Sequence, residues 1–543
     1  MGISEENRED DLCMVEAKTK QQEMPWTVLG ENKGKVVLVS KSDSDGNNKG
    51  ILHNGSYLTI EDKDDQRKFV LRVEDSLQVD PYTPSPLIID MDLSPLFQDQ
   101  KCQNILTASR IVEYPERNDG RSSYIRPQST ARMSTQEEVD LAFGNTEGIP
   151  VFPATVFARS SQHLRDGEGR LIQAKMPEDV FFHQTLITGS TGSGKTVAMK
   201  YLAQYFVEKL DLDGVGPGAV LAVNVKEDDM LTMDRQSETS NPEVEKEWID
   251  LSLRPHGIDT FTIYYPGNEK PTYDTIDPNR CEGITLRTEN IDPEAIAGLI
   301  QNLTELGADQ LPSIFRYWRN HERAEGQGFG DFIRYFQDPE NDRAFTTENL
   351  QGDQLDIRMH SGTFNSVRNA LVYSAGYFDV EGAKELAYKD ILQPGKMSVI
   401  DVTPRYGMQF GSVLLRDLLG KIYGAKSEHL SDVPVLIIID EVHEFYNTTS
   451  SREALQTLDT ICRKGRSLRI GVIFASQNPE DIPRGISNVV NTKIHFKSDH
   501  VTECDPEALT KGYAVARVHE LGQLRFVKFP LSLAGVHECK KKK

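Results

Sequence analysis

The hydrophobic pattern of this 543-residue chain changes several times along its length. Residues 1–25 are polar and acidic and have no periodicity, so we predict that they are disordered. Residues 26–115 contain short apolar or alternating runs separated by clusters of Gly, Asn, Asp and Pro. These runs are GKVVLVS, SYLTIED, KFVLRVE, PLIIDMD and NILTASRIVEY. Such a rhythm predicts a small antiparallel barrel or sandwich.

Residues 116–180 have a weaker pattern, and we interpret them as a connector. Within this region STQEEVDLAFGN has the features of a short capped helix. Ser134 is followed three residues later by Glu137, which is the spacing of a capping box.

From residue 181 onward, strand-like segments alternate with helix-like ones. The candidate strands are QTLITG, AVLAVNV (219–225), TFTIYYP (260–266), KMSVIDV (396–402), PVLIIID (434–440), IGVIFAS (470–476) and TKIHFKS (492–498). Alternation of this kind predicts an α/β core in which helices cover a mostly parallel sheet. We assign this core to residues 181–284 and 386–535, and a basic tail to 536–543.

The strand pattern stops between the third and fourth of these segments. There Asp292 fits a helix cap and Pro293 the first helical position. Ile296 and Leu299, with Ile300 and Leu303, continue as an apolar stripe of helical spacing. We therefore predict that residues 285–385 form a helical subdomain inserted into the core.

The first strand of the core leads into a glycine-rich loop with a specific chemistry. The loop matches all eight positions of the phosphate-binding pattern GxxxxGK[ST], between a strand and a helix. Its residues are Gly189, Ser190, Thr191, Gly192, Ser193, Gly194, Lys195 and Thr196. Glycines let backbone N–H groups turn towards phosphates, Lys195 is placed to reach the β and γ phosphates, and the Thr196 hydroxyl is placed to bind Mg²⁺. The sequence predicts that the chain binds ATP or GTP.

A second segment, VLIIIDEVHEF, supplies paired carboxylates at the end of a buried strand. Asp440 is placed to hold Mg²⁺, and Glu441 is placed to orient and deprotonate an attacking water. Hydrolysis needs such a polarised water, whereas nucleotide binding alone does not. The pair therefore favours an ATPase that turns over rather than a GTP switch.

A third segment, ICRKGRSLRIGVIFASQNPEDIP, combines basic residues with a strand that ends in a polar pair. Gln477, after Ser476, is a candidate sensor of the γ phosphate. Arg463 and Arg466 precede the strand and are candidates for reaching the nucleotide of a neighbouring subunit. A solvated basic loop is the alternative for either arginine.

Composition narrows the class of protein. The net charge of −22 argues against a surface that coats nucleic acid everywhere, but it allows a local basic channel. The six cysteines are scattered singly, which favours reduced structural thiols over a zinc site. The longest apolar run is too short to span a bilayer, and the N-terminus lacks the features of a secretory signal, so we expect a cytoplasmic protein without a membrane segment.

Three segments together resemble the HerA branch of the HerA/FtsK superfamily of DNA-pumping ATPases. They are LITGSTGSGKT, LIIIDEVHEF and RKGRSLRIGVIFASQNPEDIPRGISNVVNTKIHFK. Three features of the match are specific: the Asp-Glu-x-His motif that ends at His443, the Arg-x-Gly-Arg turn from Arg463 to Arg466, and the Ser-Gln strand end followed by NPEDIP and NVVNTKI. The resemblance extends over about residues 30–535, strongly in the motor and weakly in the N-terminal strands.

The resemblance implies a RecA-like P-loop motor core with an N-terminal small β-barrel and an inserted helical subdomain. It also implies a homohexamer that binds ATP and Mg²⁺ at each subunit interface and moves double-stranded DNA through a central pore. Family members commonly work with a nuclease of the NurA type in DNA end processing, or with an effector in antiviral defence. Two alternatives stay open: an ATPase ring that mainly organises an effector enzyme, and a conjugation or packaging motor of the same superfamily.

Three weaker features complete the sequence. The strand after the phosphate-binding loop ends in NVKEDD, where the family often has an Asp-Pro turn, so the role of this turn is open. The segment IFRYWRNHER (314–323) either lines a DNA channel or is a helix that buries Phe315 and Trp318, and we favour the helix. The basic run at 540–543 is interpreted as a solubilising tail.

Overall fold

The computed structural model describes residues 26–41, 52–62, 67–79, 103–115, 123–144, 154–157, 163–175, 177–211, 214–226, 229–271, 276–299, 305–402, 408–441, 451–478, 480, 488–498, 510–518 and 525–536. The chain divides into two compact units. The first comprises Met1–Thr146 and Thr155–Ala174, and the second comprises Glu147–Ala154 and Lys175–Lys543. Of the helices that the structure describes, none combines the length and the apolar character needed to cross a bilayer.

Antiparallel strands in the first unit close into a barrel in the order β1-β2-β5-β4-β3-β6. The strands are β1 Trp26–Asn32, β2 Lys35–Lys41, β3 Tyr57–Glu61, β4 Lys68–Val79, β5 Gln103–Tyr114 and β6 Thr130–Met133. Pairing of Trp26 with Ala131 joins the first and last strands. Alternate side chains such as Val36, Leu38 and Leu58 fill the interior. The predicted barrel is therefore confirmed, while the run PLIIDMD lies outside the described residues.

The capped helix of the connector begins one residue later than predicted. Helix α1 is Gln136–Ala142, its N-cap is Thr135, and the glutamate of the capping box is Glu138. The prediction of Ser134 and Glu137 was wrong because Ser134 still belongs to the sheet: its N–H donates to the Tyr57 carbonyl. The short strand β7, Thr155–Val156, follows.

The second unit is built on a large, mostly parallel sheet, as predicted. Its strands lie in the order β14-β11-β10-β15-β9-β16-β17-β8-β18-β19-β20. Their bounds are β8 Thr185–Thr188, β9 Ala219–Asn224, β10 Thr260–Pro266, β11 Cys281–Thr285, β14 Lys384–Glu385, β15 Lys396–Asp401, β16 Val435–Ile439, β17 Ile470–Ser476, β18 Thr492–Phe496, β19 Tyr513–Arg517 and β20 Arg525–Lys528. β19 pairs antiparallel with both β18 and β20. All seven candidate strands of the core are present.

Helices cover this sheet and fill the interval between β11 and β15. They are α2 Lys195–Glu208, α3 Pro242–Asp250, α4 Glu305–Tyr317, α5 Phe329–Gln337, α6 Ser361–Ser374, α7 Tyr388–Ile391, α8 Met408–Ser427 and α9 Ser451–Lys464. The first half of the predicted apolar stripe lies in a 3₁₀ helix, Pro293–Leu299, in which Ile296 and Leu299 are buried. Ile300 and Leu303 lie outside the described residues.

The inserted region, predicted as 285–385, also contains a hairpin that was not predicted, β12 Ala344–Glu348 and β13 Gln354–Arg358. One hydrophobic core includes side chains of the sheet, such as Ile437, and of the insertion, such as Phe332. Phe315 and Trp318 are both buried in it, as the favoured reading of their segment predicted. Packing of this kind holds the insertion and the sheet together as one body.

Candidate nucleotide-binding site

The phosphate-binding motif lies between β8 and α2, as predicted: its loop spans residues 189–194, and its last two residues, Lys195 and Thr196, begin α2. Gly192 and Gly194 have φ angles of 77° and 119°, which L side chains rarely adopt. A Cβ atom on Gly189 would lie 2.7 Å from both Phe496 Cβ and Ser193 Oγ. Gly192 and Gly194 are therefore needed for the backbone conformation, and Gly189 is needed because a side chain would not fit.

Two side chains of the phosphate-binding motif, Lys195 at the start of α2 and Ser193 in the loop, are suited to bind a phosphate group. The buried Lys195 donates from Nζ to the carbonyls of Gly189, at 2.6 Å, and Ser190, at 3.2 Å. Burial lowers the pKa of Lys195, and the nearby Glu441 and Asp440 carboxylates oppose that shift. The Ser193 hydroxyl is buried and has no hydrogen-bond partner among the described residues. The Lys195 ammonium is held by backbone carbonyls and lies in the same motif as the Ser193 hydroxyl, so the two groups are suited to bind a polyphosphate.

Hydrogen bonds join the phosphate-binding loop to the end of β18 and the start of β19. Ser190 donates to the Lys497 carbonyl from its N–H at 2.8 Å and from its hydroxyl at 3.0 Å. The Gly512 N–H donates to the Ser193 carbonyl at 2.9 Å. The sequence identified β18 as a strand, but it gave no indication that the end of β18 and the start of β19 hold the loop.

The paired carboxylates follow the buried strand β16. Asp440 is 5% exposed, and burial raises the pKa of its carboxyl group to about 6, against the opposing effect of Lys226. Glu441 is 2% exposed and has a φ of 45°. Its N–H donates to Asp440 Oδ1 at 2.9 Å. This turn directs both carboxyl groups to the edge of the sheet that carries the phosphate-binding loop.

The chemistry of the donor set fits Mg²⁺. Thr196 is half-buried in the first turn of α2, and Asp440 follows a strand of the same sheet. Within the described ranges, no group of three His, Cys, Asp or Glu side chains forms a metal site. Magnesium in nucleotide sites is bound by one or two protein oxygens together with water and phosphate, so a larger cluster is not needed.

Strand β17 lies between β8 and β16 and places Gln477 next to the carboxylates. Ser476 is in register with Thr188 of β8, and Phe474 is in register with Ile439 of β16. Gln477 follows immediately, and its Nε2 donates to Glu441 Oε1 at 3.4 Å. The predicted sensor therefore contacts the predicted base.

Lys226 is a residue of this site that the sequence did not identify. It follows β9 in the NVKEDD turn, and its Nζ donates to Glu441 Oε1 in an ion pair. Burial lowers the pKa of Lys226, but the hydrogen bond to Glu441 and the charges of Asp440, Glu441 and Asp229 together outweigh burial, so this pKa is raised. The only indication in the sequence was the departure of this turn from the family pattern.

The two candidate arginines lie elsewhere. Arg463 lies in the last turn of α9 and pairs with Asp459 at 2.7 Å, and Arg466 pairs with Asp179 at 3.4 Å. Both precede the start of β17, whereas Gln477 follows its end, so about 20 Å of strand separates them from the carboxylates. This chain does not bring them to its own phosphate-binding loop. Their role towards a neighbouring subunit stays a prediction, and His443 lies outside the described residues.

No family model matches the chain, and no curated protein matches it. Among solved structures, it is similar to VirB4 of Thermoanaerobacter pseudethanolicus, with 13% identity, 70% of this chain and 96% of that one covered, and a TM-score of 0.41. It is similar to the plasmid coupling protein TrwB in complex with ADP and Mg²⁺, with 13% identity, coverage of 66% and 87%, and a TM-score of 0.43. A third is the cytoplasmic domain of the Thermomonospora curvata type VII secretion ATPase EccC, with 13% identity, coverage of 68% and 28%, and a TM-score of 0.24. The assignment of the fold rests on the barrel, the strand order and the phosphate-binding loop.

Proposed function

We propose that this chain is a Mg²⁺-dependent ATP hydrolase that moves double-stranded DNA as a homohexamer. The observation that carries the proposal is the placement of Glu441. This buried carboxylate lies beside Asp440, contacts Gln477 and interacts electrostatically with Lys195. A glutamate in such a position has a function in hydrolysis that it would not have in nucleotide binding alone.

The residues divide the chemistry among them. Lys195 and the loop N–H groups would bind the phosphates, and Thr196 and Asp440 would hold Mg²⁺, whose charge offsets that of the phosphate oxygens. Glu441 would accept the proton of the attacking water. Gln477, at the end of the strand between the loop and the carboxylates, would report the presence of the γ phosphate to Glu441.

The DNA-moving part of the proposal is supported by the HerA-type sequence motifs. In a ring, Arg463 or Arg466 would act on the nucleotide of the next subunit, because both lie at the opposite edge of the sheet from their own loop. A partner nuclease of the NurA type, or a defence effector, would then act on the DNA that the ring delivers.

The first experiment measures ATP hydrolysis by the purified protein with and without linear double-stranded DNA, and the particle mass. The test variant is Glu441→Gln, and the matched control is Glu428→Gln, an exposed glutamate just after α8. We expect a hexamer whose hydrolysis rises with DNA and falls by about 100-fold in Glu441→Gln, the usual scale for loss of a general base. Glu428→Gln should hydrolyse ATP at the wild-type rate.

Other outcomes would change the proposal. Hydrolysis by a hexamer that ignores DNA would favour a ring that organises an effector enzyme. Hydrolysis by a monomer, or full activity in Glu441→Gln, would contradict the proposed mechanism.

A mixing experiment tests the arginines. Arg466→Ala subunits keep an intact loop, and Lys195→Ala subunits keep an intact arginine. If Arg466 acts on its neighbour, neither variant hydrolyses ATP alone, but rings assembled from both regain part of the wild-type rate. The same experiment with Arg463→Ala decides between the two residues, and an absence of rescue with both would exclude action in trans.

A further inference from the structure

We propose that Lys226 is a second phosphate-binding lysine of this site, which pairs with Glu441 and transfers to the γ phosphate when a triphosphate binds. The inference rests on the proposed ATP hydrolysis, since it assigns Glu441 the function of the base. It gives a function to the NVKEDD turn, for which the sequence offered none.

The backbone places the two residues together. Strands β9 and β16 are parallel neighbours, with Val223 opposite Ile439. The chain leaves β9 at Asn224 and reaches Lys226 two residues later, and it leaves β16 at Ile439 and reaches Glu441 two residues later. The two side chains therefore meet just beyond matching ends of adjacent strands, although they are 215 residues apart in sequence.

The surroundings of the two partners differ. The Glu441 side chain is 3% exposed, whereas that of Lys226 is 43% exposed. A buried carboxylate has little freedom to move, but a lysine side chain that reaches solvent can swing away. The lysine is thus the mobile member of the pair.

The contact affects the chemistry that we assign to Glu441. Lys226 Nζ and Gln477 Nε2 both donate to the same oxygen, Oε1. An ammonium on that oxygen competes with the water from which a base would take a proton. In the proposal, this pairing is the arrangement before a triphosphate binds, and Lys226 leaves it before the water is deprotonated.

A γ phosphate would draw the Lys226 side chain away from Glu441. Lys195 and Lys226 lie close enough to repel each other, and Asp440 and Glu441 are the carboxylates that attract both. A triphosphate bound at the loop adds negative charge where Lys195 is held, and it offers Lys226 phosphate oxygens as alternative partners. A diphosphate lacks the group that extends towards the carboxylates, so the transfer should respond to the γ phosphate specifically.

The test compares the affinity of the full-length protein for a non-hydrolysable ATP analogue with its affinity for ADP, both with Mg²⁺. We expect Lys226→Gln to lower the preference for the triphosphate by about tenfold, the scale of one charge-assisted contact. Lys226→Arg should keep the preference within about threefold of wild type, because it keeps the charge. Lys246→Gln, an exposed lysine on α3, should leave the preference unchanged.

A double-mutant cycle separates transfer from simple charge removal. Glu441→Gln frees Lys226, so it should raise the triphosphate preference when Lys226 is present and have little effect in a Lys226→Gln background. An equal rise in both backgrounds would mean that Glu441 merely repels phosphate, and it would overturn the proposal. An unchanged preference in Lys226→Gln would overturn it as well.

The binding measurements do not depend on turnover. If wild type binds the analogue but shows no hydrolysis that depends on Lys195, the proposed ATPase function fails while the cycle still decides whether Lys226 transfers. If hydrolysis is present and the cycle shows no coupling, only the transfer is refuted.

Discussion

The barrel and the candidate nucleotide-binding site both bury carboxyl groups, but their pKa values shift in opposite directions. In the barrel, Glu138 receives both Arg132 guanidinium nitrogens, at 2.7 and 2.9 Å, the Thr59 hydroxyl at 2.8 Å and the Thr135 N–H at 2.9 Å. Burial would raise its pKa, but these donors hold the pKa at about 2. In the nucleotide site, burial prevails and raises the pKa of Asp440 to about 6.

Under the proposed function, the difference separates a structural charge from one that serves ligand binding. The donors around Glu138 are supplied by the folded chain itself, so the charge contributes to the stability of the barrel. The site around Asp440 combines desolvated charges with the unsatisfied Ser193 hydroxyl, an arrangement that a cation and a polyphosphate would complete. Mutations should therefore affect folding in the first region and ligand binding in the second.

The largest expected effect is that of Lys195→Ala on hydrolysis. Loss of the group that reaches the phosphates should lower the rate by at least about 100-fold. The barrel should be as stable as in wild type. ATP turnover gives the first quantity. The second comes from urea unfolding followed by the ¹⁹F NMR signal of fluorotryptophan at Trp26, which is buried in the barrel.

The control for this change is Lys209→Ala, at an exposed position just after the end of the same helix. It should hydrolyse ATP normally. If Lys195→Ala keeps more than a tenth of the wild-type rate, the loop does not bind the phosphates as described.

Next in size is the loss of barrel stability in Glu138→Gln. This change leaves the Arg132 guanidinium without its buried charge partner. Removing one member of a fully buried pair costs about 3–5 kcal/mol, and because Arg132 is about one-third exposed we expect about 2 kcal/mol. The free energy of unfolding measured at the Trp26 signal should fall by this amount, while the rate of hydrolysis per folded molecule stays unchanged.

Glu137→Gln is the matched control, because Glu137 is the exposed neighbour that the sequence pattern had favoured for the capping box. Its effect on unfolding should be within about 0.5 kcal/mol. Equal destabilisation by the two variants would contradict the assigned network.

The same network predicts a pH dependence. The Glu138 pKa is lowered in the folded protein from an ordinary value of 4.5 to about 2. Its stabilisation is therefore present above pH 4.5 and is lost as the pH falls towards 2. The difference in unfolding free energy between wild type and Glu138→Gln, measured at the Trp26 signal, should shrink over this interval. A constant difference down to pH 2.5 would show that the charge of Glu138 does not stabilise the barrel.

The smallest effects come from two hydroxyl groups with opposite surroundings. Thr59 is buried and donates to Glu138, so Thr59→Val should destabilise the barrel by about 1 kcal/mol. The Ser193 hydroxyl has no partner among the described residues, so Ser193→Ala should change unfolding of the second unit by less than about 0.5 kcal/mol. It should instead weaken binding of the ATP analogue by about threefold.

Trp248 and Trp318 supply the fluorotryptophan signals for the second unit, since both are buried there. If Ser193→Ala destabilises the protein as much as Thr59→Val does, the hydroxyl is structural, and the contrast between the two regions disappears at this position.

The parts of the fold that the sequence predicted share one physical property. Strands β9, β16 and β17 are buried at every position, so each is a nearly continuous apolar run that stands out from its surroundings. β15 is also buried throughout, although Lys396, Ser398 and Asp401 interrupt its apolar residues. The hairpin of β12 and β13 was missed although QLDIR alternates polar and apolar residues, because β13 is only five residues long and mostly exposed. β11 was missed because Cys281–Thr285 is short and only partly buried.

The site residues that the sequence predicted also differ in one property from Lys226, which it missed. The phosphate-binding loop and the Asp440–Glu441 pair are local motifs, in which neighbouring residues in sequence perform neighbouring tasks. The contact of Lys226 with Glu441 joins residues that are distant in sequence, and strand order alone brings them together. The off-by-one cap at Thr135 has a third cause, since Ser134 fits the capping pattern equally well and only its strand hydrogen bond excludes it.

The closure of the barrel limits how it can be recognised. A sheet with a free edge recruits extended peptides through backbone hydrogen bonds, with little regard to their sequence. The strands β1 to β6 are paired around the full circle, so this route is closed to the part of the barrel that the structure describes. A partner would have to recognise outward-facing side chains instead, among them the exposed Leu29 and Leu77. Substitutions on that surface could then change the choice of partner without disturbing the interior.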